Sequence, residues 1–245
     1  IPDDRLLIEA IPLRSLQIST GSHTVALTAR LNEPSLPPVA LAALIDAAER
    51  YDLAPTIDRR LIDAAVDALA RAKRQGRNLH CLLPLSRSSI SSRETADYIA
   101  RNLASHNLSG ERLCLVFSED ILTHLTSQAM EFSRQMHMLG CAIGLDDFGG
   151  GLSYFSHLRS ISPSHVKLSR SLTRDLGGSR ASTALLRAVQ EITSDQHIHT
   201  IAEDVDDQET LDQLRDLGID FAQGKAVAPN EPFEVWLEGA VMRTA

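Results

Sequence analysis

Two adjacent carboxylates, Asp146 and Asp147, stand at the end of an apolar run and directly before the glycines Gly149–Gly151. The run Cys141–Leu145 has the length and composition of a buried strand, so the two acids fall at its C-terminal end. In α/β folds that edge holds metal ions and phosphates, and carboxylate oxygens are the ligands that Mg²⁺ prefers. The alternative is an ordinary turn with a helix cap, which a single Asp-Gly cluster most often is.

Polar side chains follow or interrupt several apolar runs of the chain, including the one that precedes Asp146. They are Arg30, Glu119, Asp146, Asp147, Lys167, Glu203 and Gln223. Because the C-terminal ends of parallel strands meet on one face of a barrel, the agreement of several strand ends favours a functional site over isolated turns. Lys167 stands between Val166 and Leu168, and a lysine inside an apolar strand needs a partner charge.

The elements that would position these side chains are short apolar runs that alternate with segments of helical period, a pattern typical of βα units. The predicted strands are Leu6–Ile11, Val25–Leu31, Leu79–Leu85, Leu113–Phe117, Cys141–Leu145, His165–Leu168, His199–Ala202 and Asp220–Ala222. Eight strands in a chain of 245 residues predict a closed α/β barrel, with residues 1–245 forming one domain. Only about a dozen residues separate the first two strands, which predicts a hairpin there rather than a helical crossover.

Composition excludes several classes of protein. The chain carries 24 Lys and Arg against 32 Asp and Glu, a net charge of −8, so binding to DNA or RNA is not expected and a phosphate must be held locally. Cys81, Cys114 and Cys141 lie in apolar segments, which predicts buried reduced thiols and a cytoplasmic protein. There is no apolar stretch of the roughly 18 residues that a membrane helix needs, so membrane insertion is not expected.

Four motifs occur in an order and spacing that resemble the EAL domain, the cyclic-di-GMP phosphodiesterase module of bacterial signalling. They are Leu145–Gly149, Val166–Leu168, Ala202–Asp206 and Gln223-Gly224. The resemblance runs through nearly the whole chain and implies a modified (β/α)8 TIM-like barrel whose first strand is antiparallel. It also implies that active members are divalent-metal hydrolases. Since the chain begins at Ile1 rather than Met, we expect it to be the C-terminal part of a longer multidomain signalling protein, with a sensor or cyclase-like domain before it.

Three positions at which the family carries metal ligands have no side-chain oxygen in this sequence. Ala26 stands for the glutamate of the EAL motif, Pro84 for an asparagine and Val116 for the first glutamate of a Glu-x-x-Glu motif. Two-metal hydrolysis needs oxygen ligands around both ions. We therefore predict a degenerate, inactive domain that takes no Mg²⁺, Mn²⁺ or other cofactor. The remnants of the catalytic site would be Glu119, Asp146, Asp147, Lys167 and Gln223.

The resemblance implies that ligand binding can persist without catalysis. Arg30 matches the phosphate-contacting arginine of the family, and a guanidinium can grip two phosphodiester oxygens without a metal. Asp58 matches a ligand-contacting position, although an N-cap aspartate is an equally good interpretation and compatible with the first. The Glu203 carboxylate can accept two adjacent N–H groups of guanine, as the matching glutamate does in metal-free FimX-type relatives.

Three functions remain open at this level. The first is an inactive cyclic-di-GMP receptor that signals through a protein partner, such as a PilZ-type adaptor, in type IV pilus, motility or biofilm control. The second is a protein-interaction scaffold that no longer binds nucleotide; Ile11, at the place of a ligand-contacting glutamine, and Lys225–Ala228, which lacks an aromatic residue to stack on guanine, favour it. The third is a residual metal-dependent phosphodiesterase, which the three missing ligands oppose.

Overall fold

The structure is a computed structural model that describes residues 5–17, 22–32, 39–149, 155–174, 176 and 180–242. Within these ranges the strands are β1 (Leu6–Ser15), β2 (His23–Leu31), β3 (Val39–Ala40), β4 (Leu79–Pro84), β5 (Leu113–Ser118), β6 (Ala142–Phe148), β7 (His165–Leu168), β8 (His199–Ala202), β9 (Phe221–Ala222) and β10 (Glu231–Pro232). The helices there are α1 (Leu41–Glu49), α2 (Ala54–Arg74), α3 (Arg87–Ser91), α4 (Arg93–Ser105), α5 (Glu119–His124), α6 (Thr126–Met138), α7 (Phe155–Ile161), α8 (Arg170–Thr173), α9 (Arg180–Asp195), α10 (Gln208–Asp216) and α11 (Phe233–Met242).

Eight of the strands close into a barrel in the order β1, β2, β4, β5, β6, β7, β8 and β9, and β9 returns to β1. Neighbours from β2 to β9 are parallel, whereas β1 runs antiparallel to both β2 and β9. The predicted TIM-like barrel with an antiparallel first strand is therefore confirmed. The predicted hairpin is confirmed as well, because Leu6–Leu13 of β1 pairs with Thr24–Leu31 of β2.

The first strand is longer than the sequence pattern predicts. The prediction ended it at Ile11, before a proline that cannot donate a ladder hydrogen bond. In the structure β1 continues through Pro12, and its last residues, Arg14 and Ser15, pair with Ala222 and Phe221 of β9. Pro12 and Leu13 pair with β2, whereas Arg14 and Ser15 depend on a partner strand near the other end of the chain, which a local pattern does not reveal.

Apolar side chains form one core between the barrel and its helices and a second core inside the barrel. On α2 the outer core takes Ile57, Leu61, Ala65 and Leu69, which recur at helical spacing. The inner core contains Leu13, Ala26, Leu82, Cys114, Val116 and Ile201. Two of the three positions that lack a metal ligand are thus part of the apolar filling of the barrel.

The three cysteines, Cys81, Cys114 and Cys141, are free and buried, as predicted. Burial raises the pKa of the Cys141 thiol to about 12, so this group stays protonated at neutral pH. None of the described helices is long and apolar enough to cross a membrane.

Three histidines gather at the N-terminal end of the barrel strands, opposite the face on which the polar strand ends meet. His165 begins β7 and its ring lies 5.4 Å from that of His199 at the start of β8. Its Nδ1 lies 3.7 Å from Cys114 Sγ. Burial lowers the pKa of His165 to about 4, with smaller contributions from His199 and His80, while Asp220 acts in the opposite direction.

The unusual pKa of His165 predicts a loss of stability on acidification. The unfolded chain takes up this proton near pH 6.5, whereas the folded protein does so only near pH 4, so the folded state becomes less stable as the pH falls between these values. The raised pKa of His199, which is due first to its hydrogen bond with Asp220, offsets part of this effect. We expect urea unfolding at pH 7.5 and pH 4.5 to show a loss about 2 kcal/mol smaller in His165→Gln than in the unsubstituted protein. Equal losses would contradict the prediction.

Candidate functional site

A cavity of about 700 Å³ opens at the C-terminal ends of the barrel strands. Its cationic lining residues in the described structure are Arg30, Arg87, Lys167 and Arg170. Its acidic lining residues there are Glu9, Asp46, Glu49, Asp58, Asp120, Asp146, Glu203 and Asp204. The polar residues that the sequence places at strand ends therefore meet largely on one face, and acidic groups outnumber cationic groups around the cavity.

Lys167, Glu203 and Gln223 form a partly buried hydrogen-bonded group on the wall of this cavity. Glu203 Oε1 accepts from Lys167 Nζ at 2.8 Å and from Gln223 Nε2 at 2.6 Å, while Asp146 Oδ2 lies 3.9 Å from Lys167 Nζ. Burial acts to lower the pKa of Lys167, but the Glu203 and Asp146 carboxylates outweigh it and hold that pKa above its usual value. The partner charge that the sequence predicts for Lys167 is therefore present.

The carboxamide oxygen of Gln223 is buried and has no hydrogen-bond partner among the described residues. Donation from Nε2 to Glu203 fixes which way the amide points, so the oxygen cannot exchange places with the nitrogen without meeting the carboxylate. An unpaired buried acceptor costs about 1–3 kcal/mol, and a donor on a ligand would relieve that cost. The sequence motif identifies Gln223 but does not show this free acceptor.

Arg30 lies on β2 with its side chain 36% exposed at the cavity. Its Nε is 2.7 Å from Glu9 Oε1, although the N–H is not aligned on that oxygen and so makes an ion pair rather than a good hydrogen bond. The register of the hairpin explains the contact. Glu9 on β1 pairs with Thr28 on β2, and Arg30 follows Thr28 by two residues on the same strand. Sequence reasoning missed Glu9, and only the pairing of β1 with β2 could have found it.

Asp58 is buried in the interior of α2, so the N-cap interpretation is wrong. The helix begins at Ala54 and its N-cap residue, Leu53, makes no side-chain cap. Asp58 Oδ2 accepts from the backbone N–H of Ser86 at 2.9 Å and from its hydroxyl at 2.5 Å. Burial raises the pKa of Asp58, which these hydrogen bonds partly offset. The carboxylate therefore holds the turn after β4, and direct contact with a ligand stays a prediction.

The two adjacent carboxylates do not act as a pair. Asp146 lines the cavity, whereas Asp147 is exposed, has a positive φ of 57° and donates its N–H to Asp146 Oδ1 at 2.8 Å. The positive φ takes Asp147 out of the extended conformation, so it breaks the regular alternation of the strand, and the register shift between β6 and β7 falls at this place. The expectation that both acids face one site is therefore wrong. Glu119 begins α5, but its side chain lies outside the described part of the structure, as do Gly150 and Gly151.

The residues around the cavity do not fit a binuclear metal centre. Ala26 and Val116 belong to the apolar core of the barrel, and Pro84 pairs with Val116 at the ends of β4 and β5. In the described ranges no group of three or more His, Cys, Asp or Glu side chains is arranged to hold a metal ion. The two carboxylates beside Lys167 Nζ, those of Glu203 and Asp146, lie 2.8 and 3.9 Å from it.

The chain is similar to several known proteins. Residues 15–230 match the EAL domain. The chain is 29% identical over 246 aligned positions to the cyclic di-GMP phosphodiesterase PdeB of Shewanella oneidensis, and this alignment covers 100% of the chain but 29% of that protein. The FimX EAL domain of Xanthomonas citri in complex with c-diGMP superposes with a TM-score of 0.84 at 30% identity, over 94% of this chain and 89% of that one. The FimX EAL domain of Pseudomonas aeruginosa bound to c-di-GMP shares the fold, with a TM-score of 0.85 at 22% identity over 94% and 92% of the two chains.

Proposed function

Since this chain belongs to the EAL domain family, we propose that it is a receptor that binds cyclic-di-GMP without hydrolysing it and passes the signal on through protein contacts. The observation that carries the proposal is the cavity at the C-terminal face. It combines an exposed arginine with buried acceptors, yet carries alanine, proline and valine where the resemblance puts metal ligands. The partner we propose, which the resemblance to FimX-type receptors implies, is a cytoplasmic PilZ-type adaptor of type IV pilus, motility or biofilm control.

In this proposal Glu203 and Gln223 bind the guanine base. Guanine carries two adjacent N–H donors on its Watson–Crick edge, whereas adenine has an acceptor at the corresponding ring nitrogen. Glu203 offers carboxylate oxygens, and Gln223 offers a buried acceptor that has no partner among the described residues, so this wall of the cavity is matched to donors. A site that leaves buried acceptors unpaired with the wrong base discriminates strongly against it.

In this proposal Arg30 is the main residue that binds a phosphate of the ligand. A guanidinium can make two parallel hydrogen bonds to a phosphodiester, which compensates for the absence of a metal ion. Glu9 competes for the same guanidinium, because its carboxylate lies 2.7 Å from Nε. Ligand binding would therefore exchange or share this ion pair rather than fill a free cationic site.

The second function, a scaffold that no longer binds nucleotide, is favoured by the charge of the cavity. Eight acidic side chains line it against four cationic ones within the described structure, and cyclic-di-GMP carries two negative charges. Like charges at short range raise the free energy of a bound anion unless arginines neutralise it. The receptor function requires that the arginines of the cavity neutralise the ligand phosphates despite the excess of acidic side chains. If they do not, the scaffold function remains.

Calorimetric titration of cyclic-di-GMP in EDTA distinguishes the candidate functions. We expect metal-independent binding that weakens by about 2 kcal/mol, roughly thirtyfold, in Arg30→Ala and again in Glu203→Gln, because each change removes a charged hydrogen-bond partner. Arg134→Ala is the matched control, since this exposed arginine of α6 pairs with Glu131 away from the cavity.

The four possible outcomes of this titration have different meanings. Binding in EDTA that both cavity variants weaken supports the receptor. Absence of binding by the unsubstituted protein supports the scaffold, and binding that requires Mn²⁺ supports a residual enzyme. Unchanged affinity in both Arg30→Ala and Glu203→Gln would show that the ligand binds elsewhere.

A further inference from the structure

We propose that Arg87 is a second phosphate-binding residue of the cavity, and that its ion-pair partner Asp120 competes with the anionic ligand for its guanidinium. The proposal rests on the proposed function and adds a residue that neither the sequence motifs nor the resemblance identified. Arg87 Nη2 contacts Asp120 Oδ2, and both side chains line the cavity.

The position of the pair relates it to the missing metal ligands. Arg87 follows Pro84 by three residues, at the start of α3, and Asp120 follows Val116 by four, in α5. Pro84 and Val116 are neighbours across the β4 and β5 ladder. The guanidinium therefore lies beside the ends of β4 and β5, where the resemblance places two ligands of a metal ion. It supplies positive charge on that side of the cavity.

The backbone that carries Arg87 is held firmly on both sides. Ser86 donates its N–H and hydroxyl to the buried carboxylate of Asp58, and the N–H of Ser88 donates to Glu49 Oε1 at 3.0 Å. A fixed backbone reduces the entropy that a side chain loses when it binds a ligand. The two acids thus position Arg87, which gives Asp58 an indirect role in binding.

The ion pair of Arg87 with Asp120 can be replaced by a contact with the ligand at little cost in protein stability. Its side chains are 47% and 56% exposed, and exposed ion pairs contribute little to stability. The pair of Lys167 with Glu203, at 12% and 15% exposure, is much less exposed, so breaking it would cost more stability than breaking the pair of Arg87 with Asp120. When Arg87 leaves, Asp120 keeps a partner, since His124 Nδ1 lies 3.0 Å from its Oδ1.

The test is calorimetry with cyclic-di-GMP in EDTA on variants of each half of the pair. Arg87→Ala should weaken affinity about tenfold or more, and Arg87→Lys should weaken it less, because lysine keeps the charge but loses the bidentate geometry. Asp120→Asn should instead strengthen affinity about threefold, because it removes the competing carboxylate. The opposite signs are the diagnostic result, since a purely structural ion pair would give the same sign for both.

The control is the ion pair of Arg134 with Glu131, which has similar exposure and lies on α6. Arg134→Ala and Glu131→Gln should leave affinity unchanged. If the unsubstituted protein binds but Arg87→Ala and Asp120→Asn both match these controls, or shift affinity in the same direction, the role of Arg87 is overturned while the receptor function stands. If neither the unsubstituted protein nor Asp120→Asn binds, both proposals fail.

Discussion

Replacement of Lys167 by methionine should lower the free energy of unfolding by about 3–5 kcal/mol, as expected when one partner of a buried ion pair is removed. The substitution leaves the Glu203 carboxylate, which is 15% exposed, with Gln223 as its remaining donor. The raised pKa of Lys167 means that its stabilising charge is fully present below the unfolded value of 10.5 and is lost only as the pH rises through the higher folded value. The effect should therefore be similar at pH 7 and pH 9.

Urea denaturation followed by circular dichroism measures this effect, and a double substitution controls for it. In Lys167→Met with Glu203→Gln the buried negative charge is gone as well, so much of the lost stability should return. If the double variant is less stable than Lys167→Met by the full cost of a second independent substitution, the two residues are not coupled and the predicted ion-pair energy is wrong.

Purified protein supplied with Mn²⁺ or Mg²⁺ and cyclic-di-GMP should form the linear dinucleotide at least about a thousandfold more slowly than an active phosphodiesterase of the family. Metal ions supply several kcal/mol of transition-state stabilisation in such reactions, and each 1.36 kcal/mol is a factor of ten in rate. Ala26 and Val116 are packed in the barrel core, and Pro84 has no side-chain oxygen, so these ligands are missing on the side of β2, β4 and β5.

The Shewanella phosphodiesterase PdeB, assayed in the same buffer, is the positive control for this measurement. A variant with Asp146→Asn identifies any trace activity, because it removes a carboxylate that lines the cavity while leaving Lys167 and Glu203 in place. Product formation within tenfold of the control enzyme, abolished by that variant, would establish a working metal centre and contradict the proposed receptor.

Much of the barrel could be predicted from the sequence, because its strands are short apolar runs whose spacing is local information. The strands His165–Leu168 and His199–Ala202 have the predicted bounds. Lys167 could be assigned a partner charge from its neighbours in the chain, since a lysine flanked by apolar strand residues has few other solutions. The resemblance supplied the antiparallel first strand, and the register of β1 with β2 confirms it.

The contacts of the candidate site could not be predicted in the same way. Glu9 meets Arg30 and Asp120 meets Arg87 because distant strand ends are brought to one face. Asp147 follows Asp146 directly in the sequence, yet its positive φ and the register shift at the end of β6 leave it out of the lining of the cavity.

By itself the sequence determined the barrel, the family and the absence of oxygen side chains at positions 26, 84 and 116, since these depend on residue type and spacing. Only the tertiary structure decided which charges share the cavity, that Asp58 supports the turn after β4, and that Gln223 holds an acceptor without a partner among the described residues. The physical reason is that Coulomb energy and hydrogen bonding depend on distances of a few ångströms between side chains, and those distances arise only when the barrel closes.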